Sequence, residues 1–187
     1  MSIINKQISF SKKPLPLMMD YTSALPIAFF FVNVTEAVHD KNFGEMGLLI
    51  VTMIVADLLT FGIKSISKKA SSKLNFLLHR PVGASNTDIL SRNGFKPVDA
   101  PGFPSGHVTM TAVFAVYRIL RLYRNYDNIF TFITNEPLPI LFYLGLIVLM
   151  GYARWYKRCH NIPQILGGFV LGSVFAIILD KIIRDFL

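Results

Sequence analysis

Five apolar stretches, at 22–39, 46–66, 108–123, 138–153 and 162–183, dominate this chain and leave few ways for it to fold. A helix needs about 17–25 mostly apolar residues to cross the hydrocarbon layer of a bilayer, and 46–66 and 162–183 meet that length outright. A soluble bundle would show a polar stripe at helical period on every helix, yet 138–152 and 165–179 have almost none. Overall, 52% of the residues are hydrophobic and 16% are charged, which is displaced from soluble domains toward membrane proteins. The third stretch carries Arg118 and Arg121 near one end and is expected to snorkel them to the interface. The fourth is short and leans on Tyr152 and Trp155 as interfacial anchors. Pro26, Asn33 and Glu36 make the first the least span-like. The expected fold is therefore all-α: a multi-pass transmembrane helix bundle with about five spans. It forms one membrane domain over 1–187, with a basic segment at 1–20 and no cleavable signal peptide. The single Cys159 excludes a disulfide framework.

Between the second and third stretches runs a loop over 67–106, far longer than a compact fold uses unless the loop has a task. Three short clusters, two of them in this loop, combine cations, His or Gly at a membrane boundary. The first is 73–81, with Lys73 and Arg80. On a helix these lie nearly two turns apart on one face, and the guanidinium can grip two phosphate oxygens. In the second, Pro104-Ser105-Gly106-His107 opens directly into an apolar run. Ser105 is the expected N-cap, the free amides of the first turn suit an anion, and His107 is placed to give a proton to a leaving oxygen. The third runs from Arg154 to Gln164. Asn161 reads as an N-cap, Pro163 fits a first helical turn, and His160 and Gln164 share a helical face, so a side-chain carbonyl can orient the imidazole. Counting spans from residue 46 onward puts all three clusters on one face of the membrane.

Lys-x6-Arg-Pro at 73–81, Pro-Ser-Gly-His at 104–107 and Arg-x5-His at 154–160 resemble, in order and spacing, the signature motifs of the type 2 phosphatidic acid phosphatase superfamily, also called the acid phosphatase/vanadium haloperoxidase superfamily. The resemblance covers about 45–183. It implies a membrane lipid phosphatase that needs no metal or other cofactor and works through a phosphohistidine. His160 would be the nucleophile and His107 the acid, with Lys73, Arg80, Arg154 and the Ser105-Gly106 backbone holding the phosphoryl oxygens. Cations and N–H donors around equatorial oxygens are what phosphoryl transfer requires. Two positions depart from the family pattern. Ala153 stands where Ser is usual, removing one phosphate hydrogen bond, and Gln164 stands where Asp is usual. A glutamine carbonyl fixes the imidazole tautomer but stabilises imidazolium poorly.

The run His160-Asn161-Ile162-Pro163-Gln164 is similar to the third motif of dolichyl diphosphate phosphatases, where Gln commonly replaces Asp. That likeness implies a polyisoprenyl diphosphate substrate and the endoplasmic reticulum; the broader family implies a phospholipid phosphate. Most Lys and Arg lie on the motif face, cytosolic by the positive-inside rule, whereas relatives carry the site on the other side. The alternative to an enzyme is a membrane protein that binds lipid phosphates without turning them over, for which Ala153 and Gln164 are fitting features.

Other polar residues have plainer readings. Lys64, Lys68 and Lys69 form a ramp facing lipid headgroups. His39 and His79 are interfacial, and the four histidines lack zinc spacing. Asp57, inside the second stretch, either pairs with a neighbouring span or reaches the site and supplies charge that Gln164 lacks. The formal charge of +8 admits nucleic acid as a partner, but the arginines and aromatics at 117–126 read as a snorkelling span end, so the expected partners are the membrane and an anionic lipid.

Overall fold

The computed structural model describes residues 14–67, 78–81, 84 and 101–186; Lys68, Lys69, Lys73 and most of the 67–106 loop lie outside them. Among the described residues, seven whole helices follow in order: α1 (Pro14–Ser23), α2 (Leu25–His39), α3 (Phe43–Ser67), α4 (Gly106–Tyr123), α5 (Ile129–Asn135), α6 (Pro137–Tyr156) and α7 (Ile162–Phe186). Among the described residues the one strand-like pairing is an antiparallel bridge between His79 and Pro101. Leu78 is helical and Arg80 follows the bridge without regular structure, so Arg80 itself lies just past a helical residue, while Lys73 and the residues up to 77 lie outside the described ones.

Three helices, α3, α6 and α7, are long and apolar enough to cross a bilayer, and α2 is a shorter apolar helix. At 1.5 Å per residue, the 25 residues of α3 reach about 37 Å against a hydrocarbon core of about 30 Å. Their outward faces carry Leu58, Phe61, Val148 and Val174, all exposed, as helices bathed in lipid require. The chain is an all-helical membrane bundle with α4 at its centre, packed on α7, α6, α3 and α2.

The core draws on four elements: Phe29 and Ala37 of α2, Met46, Leu49, Met53 and Ala56 of α3, Val113, Phe114 and Tyr117 of α4, and Ala176, Leu179 and Ile183 of α7. Lipid is as apolar as leucine, so helices in it gain from close backbone approach at small residues. Gly168 and Gly172, four apart on α7, provide that approach. A Cβ at Gly168 would stand 2.6 Å from the Ser105 carbonyl, and one at Gly172 would collide with the Thr109 carbonyl. These two glycines seat the start of α4 against α7.

The end of the bundle away from the three clusters holds an ion-pair knot. Arg118 is 5% exposed, ion-paired to Glu36, and donates to Asn33 Oδ1 at 2.7 Å. Glu45 takes Tyr117 Oη–H, Arg124 at 3.0 Å and Arg121 at 3.4 Å, while Asp180 holds Arg124 at 2.7 Å and Arg184 at 3.0 Å. Arg118 therefore does not snorkel. The polar residues that weaken α2 as a span are its inward partners, and pairing within the bundle removes the cost of a bare charge. Two helices are absent from the sequence reading, α5 and α1. The latter packs on α6 within the segment expected to be merely basic.

Candidate active site

The spacing from Arg154 to His160 is set by a helix stop joined to a helix start. At the end of α6, Cys159 N–H donates to the Arg154 carbonyl and Arg158 N–H to that of Trp155, both at 2.9 Å, with Arg158 left-handed at φ 52°. This is the Schellman arrangement, built on an arginine where glycine is usual. Asn161 then caps α7 through its Oδ1, which accepts Gln164 N–H at 3.0 Å. His160 sits between the two turns, 2% exposed.

Gln164 ties the clusters together. Its side-chain Nε2 donates to the His79 carbonyl at 2.6 Å, and its Oε1 faces His160 Nδ1 and Asn161 N–H, each at 3.2 Å. Its backbone carbonyl accepts Ser105 N–H at 3.0 Å. A carbonyl such as that of His79 only accepts, so the amide nitrogen must face it and the amide oxygen must face the imidazole. Nδ1 then carries the proton and Nε2 keeps its lone pair. Toward that lone pair points Arg80 Nη1, at 3.4 Å, while the same nitrogen donates to the Cys159 carbonyl at 3.0 Å. A Cβ at Gly102 would stand 2.5 Å from the Gln164 amide, so a glycine is required there. Gly102 N–H also donates to the Leu78 carbonyl at 2.6 Å, fastening the second cluster to the first.

The remaining groups surround this imidazole. Arg154 is fully buried, and its Nη1 donates to Ser23 Oγ at 3.3 Å; Lys157 reaches the same hydroxyl and pairs with Asp20 at 3.0 Å. Ser105 occupies the N-cap of α4 as expected, but its hydroxyl makes no capping bond. Its Oγ and His107 Nε2 are buried without a hydrogen-bond partner among the described residues. Burial first, and then the charges of Arg154, Arg80 and Lys64, hold His160 well below the ordinary histidine range, so it is neutral at neutral pH. An open pocket of about 380 Å³, lined by His160, Asn161, Pro81, Trp155 and Arg158, gives access to the ring.

Arg80, Ser105, Gly106, His107, Arg154, His160 and Gln164 are thus gathered at one end of the bundle, and Lys73 lies outside the described residues. Three participants escape the sequence reading. His79 serves through its backbone carbonyl, and Ser23 and Asp20 brace the third cluster from α1. Lys64 belongs here rather than on a headgroup ramp, since its Nζ stands 3.7 Å from where a Gly106 Cβ would lie. Asp57 Oδ1 stands 3.2 Å from that same point, beside Lys64 and the start of α4. Among the described residues no cluster of His, Cys, Asp and Glu is placed to hold a metal ion. A tethered neutral imidazole, ringed by cations and unpaired donors, is an arrangement for attack on an anionic centre.

The PAP2 superfamily model matches residues 45–186. Among solved structures, a transmembrane PAP2-type phosphatidylglycerolphosphate phosphatase from Bacillus subtilis shares the fold, with a TM-score of 0.66 and 16% identity, covering 94% of this chain and 81% of that one. No curated protein matches the sequence.

Proposed function

Since the chain belongs to the PAP2 superfamily, we propose that it is an integral membrane phosphatase that removes phosphate from a lipid phosphate or diphosphate through His160. The observation that carries this reading is the Gln164 bridge, which fixes the proton of His160 on Nδ1 and aims a neutral Nε2 at the pocket beside Arg80. With phosphate present, Arg80 and Arg154 hold its equatorial oxygens, joined by Ser105 Oγ–H and the first amides of α4. The Nε2 lone pair forms a bond to phosphorus as the bond to the leaving oxygen breaks, and His107 delivers a proton to that oxygen. Water then attacks the phosphohistidine, His107 takes up the water's proton, and inorganic phosphate leaves. Gln164 holds the ring through both transfers.

A lipid substrate suits the surroundings. An almost wholly apolar groove of about 550 Å³ runs along α6 and α7 past Val148, Leu166 and Phe169, and it shares Trp155 and Ile162 with the pocket at His160. A headgroup in the pocket thus has a place for its tail. The third-motif likeness favours a polyisoprenyl diphosphate, and the structural relative is a phosphatidylglycerolphosphate phosphatase. Purified protein in detergent with EDTA, offered polyisoprenyl diphosphate, phosphatidate, lysophosphatidate and phosphatidylglycerophosphate, separates these substrates by phosphate release. His160→Ala and His107→Ala are each expected to abolish release. A divalent-metal requirement, or release untouched by His160→Ala, overturns the mechanism.

A further inference from the structure

Lys64 lies outside all three motifs, on the last third of a membrane-spanning helix, yet it does not face lipid headgroups. Its Nζ stands 3.7 Å from the position a Cβ would take on Gly106, the first residue of α4, and Asp57 Oδ1 stands 3.2 Å from that point. Asp57 and Lys64 are two helical turns apart, so both side chains leave α3 on one face, toward the start of α4. Beside them is Ser105, fully buried, whose hydroxyl sits at an N-cap without capping and has no partner among the described residues. Lys64 is half-buried. Its charge acts on His160 together with those of Arg154 and Arg80. Three like charges thus bear on one imidazole, and the carboxylate of Asp57 stands beside Lys64 at the start of α4. Like charges repel one another, and an arriving anion lessens that repulsion.

We infer that Lys64 is a phosphate-binding residue of this protein, contributed by α3 to the mouth of the helix that bears Ser105 and His107. Asp57 acts through it as a positioning residue, drawing the ammonium over Gly106. The inference rests on the proposed phosphate site, and it adds to that site a cation from outside the motifs. The ligand class is a phosphoryl group, whether on a lipid or as free inorganic phosphate.

A structural lysine and a ligand-binding lysine respond differently to removal. Lys64→Met and Lys64→Gln, in the full chain in detergent, should melt at or above the wild-type temperature without phosphate, because a repelling charge is gone. Both should lose most of the stabilisation that inorganic phosphate gives the wild type at fixed ionic strength, corresponding to binding at least 10-fold weaker. Lys64→Arg should keep binding within about 3-fold. Where wild type hydrolyses a lipid substrate, kcat/KM of Lys64→Met should fall about 100-fold. The headgroup form of the ligand shows as a larger change in KM for the lipid substrate than in Kd for free phosphate; equal changes indicate the phosphoryl group alone, and both agree with the inference. Phosphate affinity within 2-fold of wild type in the neutral variants overturns it. So does loss of folding in both variants, since it would make Lys64 a structural residue. An inactive wild type that still loses phosphate binding on Lys64→Met would sink the enzyme reading and leave this one standing.

Discussion

Replacing Gln164 with Leu keeps the volume of a fully buried side chain and strips it of every polar contact. Among the described residues, three hydrogen bonds disappear: to the His79 carbonyl at 2.6 Å, and to His160 Nδ1 and Asn161 N–H at 3.2 Å. At about 1 kcal/mol each, the fold should lose about 3 kcal/mol, enough to lower the melting temperature in detergent clearly but not to unfold the chain. The effect on rate should be larger than that on binding. Without the carbonyl, the imidazole is free to turn and to put its proton on Nε2, where it cannot attack phosphorus. Loss of tautomer control is worth about 100- to 1,000-fold in kcat, whereas KM should change little because Arg80 and Arg154 still hold the phosphoryl group. Initial-rate phosphate release at several lipid mole fractions in mixed micelles separates the two parameters. A Gln164→Leu protein that is folded and keeps kcat within 3-fold of wild type would refute the tethering argument. A loss confined to KM would refute it equally, by making Gln164 a substrate contact.

Three further outcomes follow from the geometry. His160 is buried neutral, with its pKa depressed, so the unfolded chain binds the proton more readily. His160's contribution to stability should hold above pH 6.5 and fall as pH drops below it, by at most about 1.4 kcal/mol per pH unit for this one group, and His160→Gln should make that limb of a melting-temperature profile shallower. Gly172→Ala drives a methyl into the Thr109 carbonyl and must push α4 off α7, so it should cost over 2 kcal/mol and impair phosphate release; an unchanged melting temperature would contradict the packing account. Arg158→Gly relieves a left-handed arginine, so stability should be equal or up to about 1 kcal/mol higher; a lower melting temperature would mean that the arginine side chain itself holds the turn.

Much of this arrangement is legible in the sequence because its signals are local. The length of an apolar run gives α3 and α7, and Ser105 and Asn161 mark helix starts within a residue. Arg154 and His160 are close in sequence because a single turn separates the two helices. What stays hidden depends on partners from distant segments. Arg118 reads as a snorkelling end until Glu36 and Asn33 of α2 come alongside it. Lys64 reads as a headgroup lysine because its site is the start of α4, across the long loop. Ser23 and Asp20 carry no motif at all, and their task exists only once α1 lies on α6. The replacement of the usual Asp by Gln164 also makes sense only in three dimensions. The amide spans from His160 to the His79 carbonyl, and that second contact needs a donor that an ionised carboxylate does not have.

The most direct test of the central claim, that the three clusters form one phosphate site around a nucleophilic His160, is a quenched turnover with a lipid substrate labelled in its terminal phosphate. The expected result is an acid-labile, base-stable phosphoryl group on the peptide containing His160, formed faster than phosphate is released and absent from His160→Ala. Phosphate release at the wild-type rate with no such label, or a label on another residue, would contradict the account.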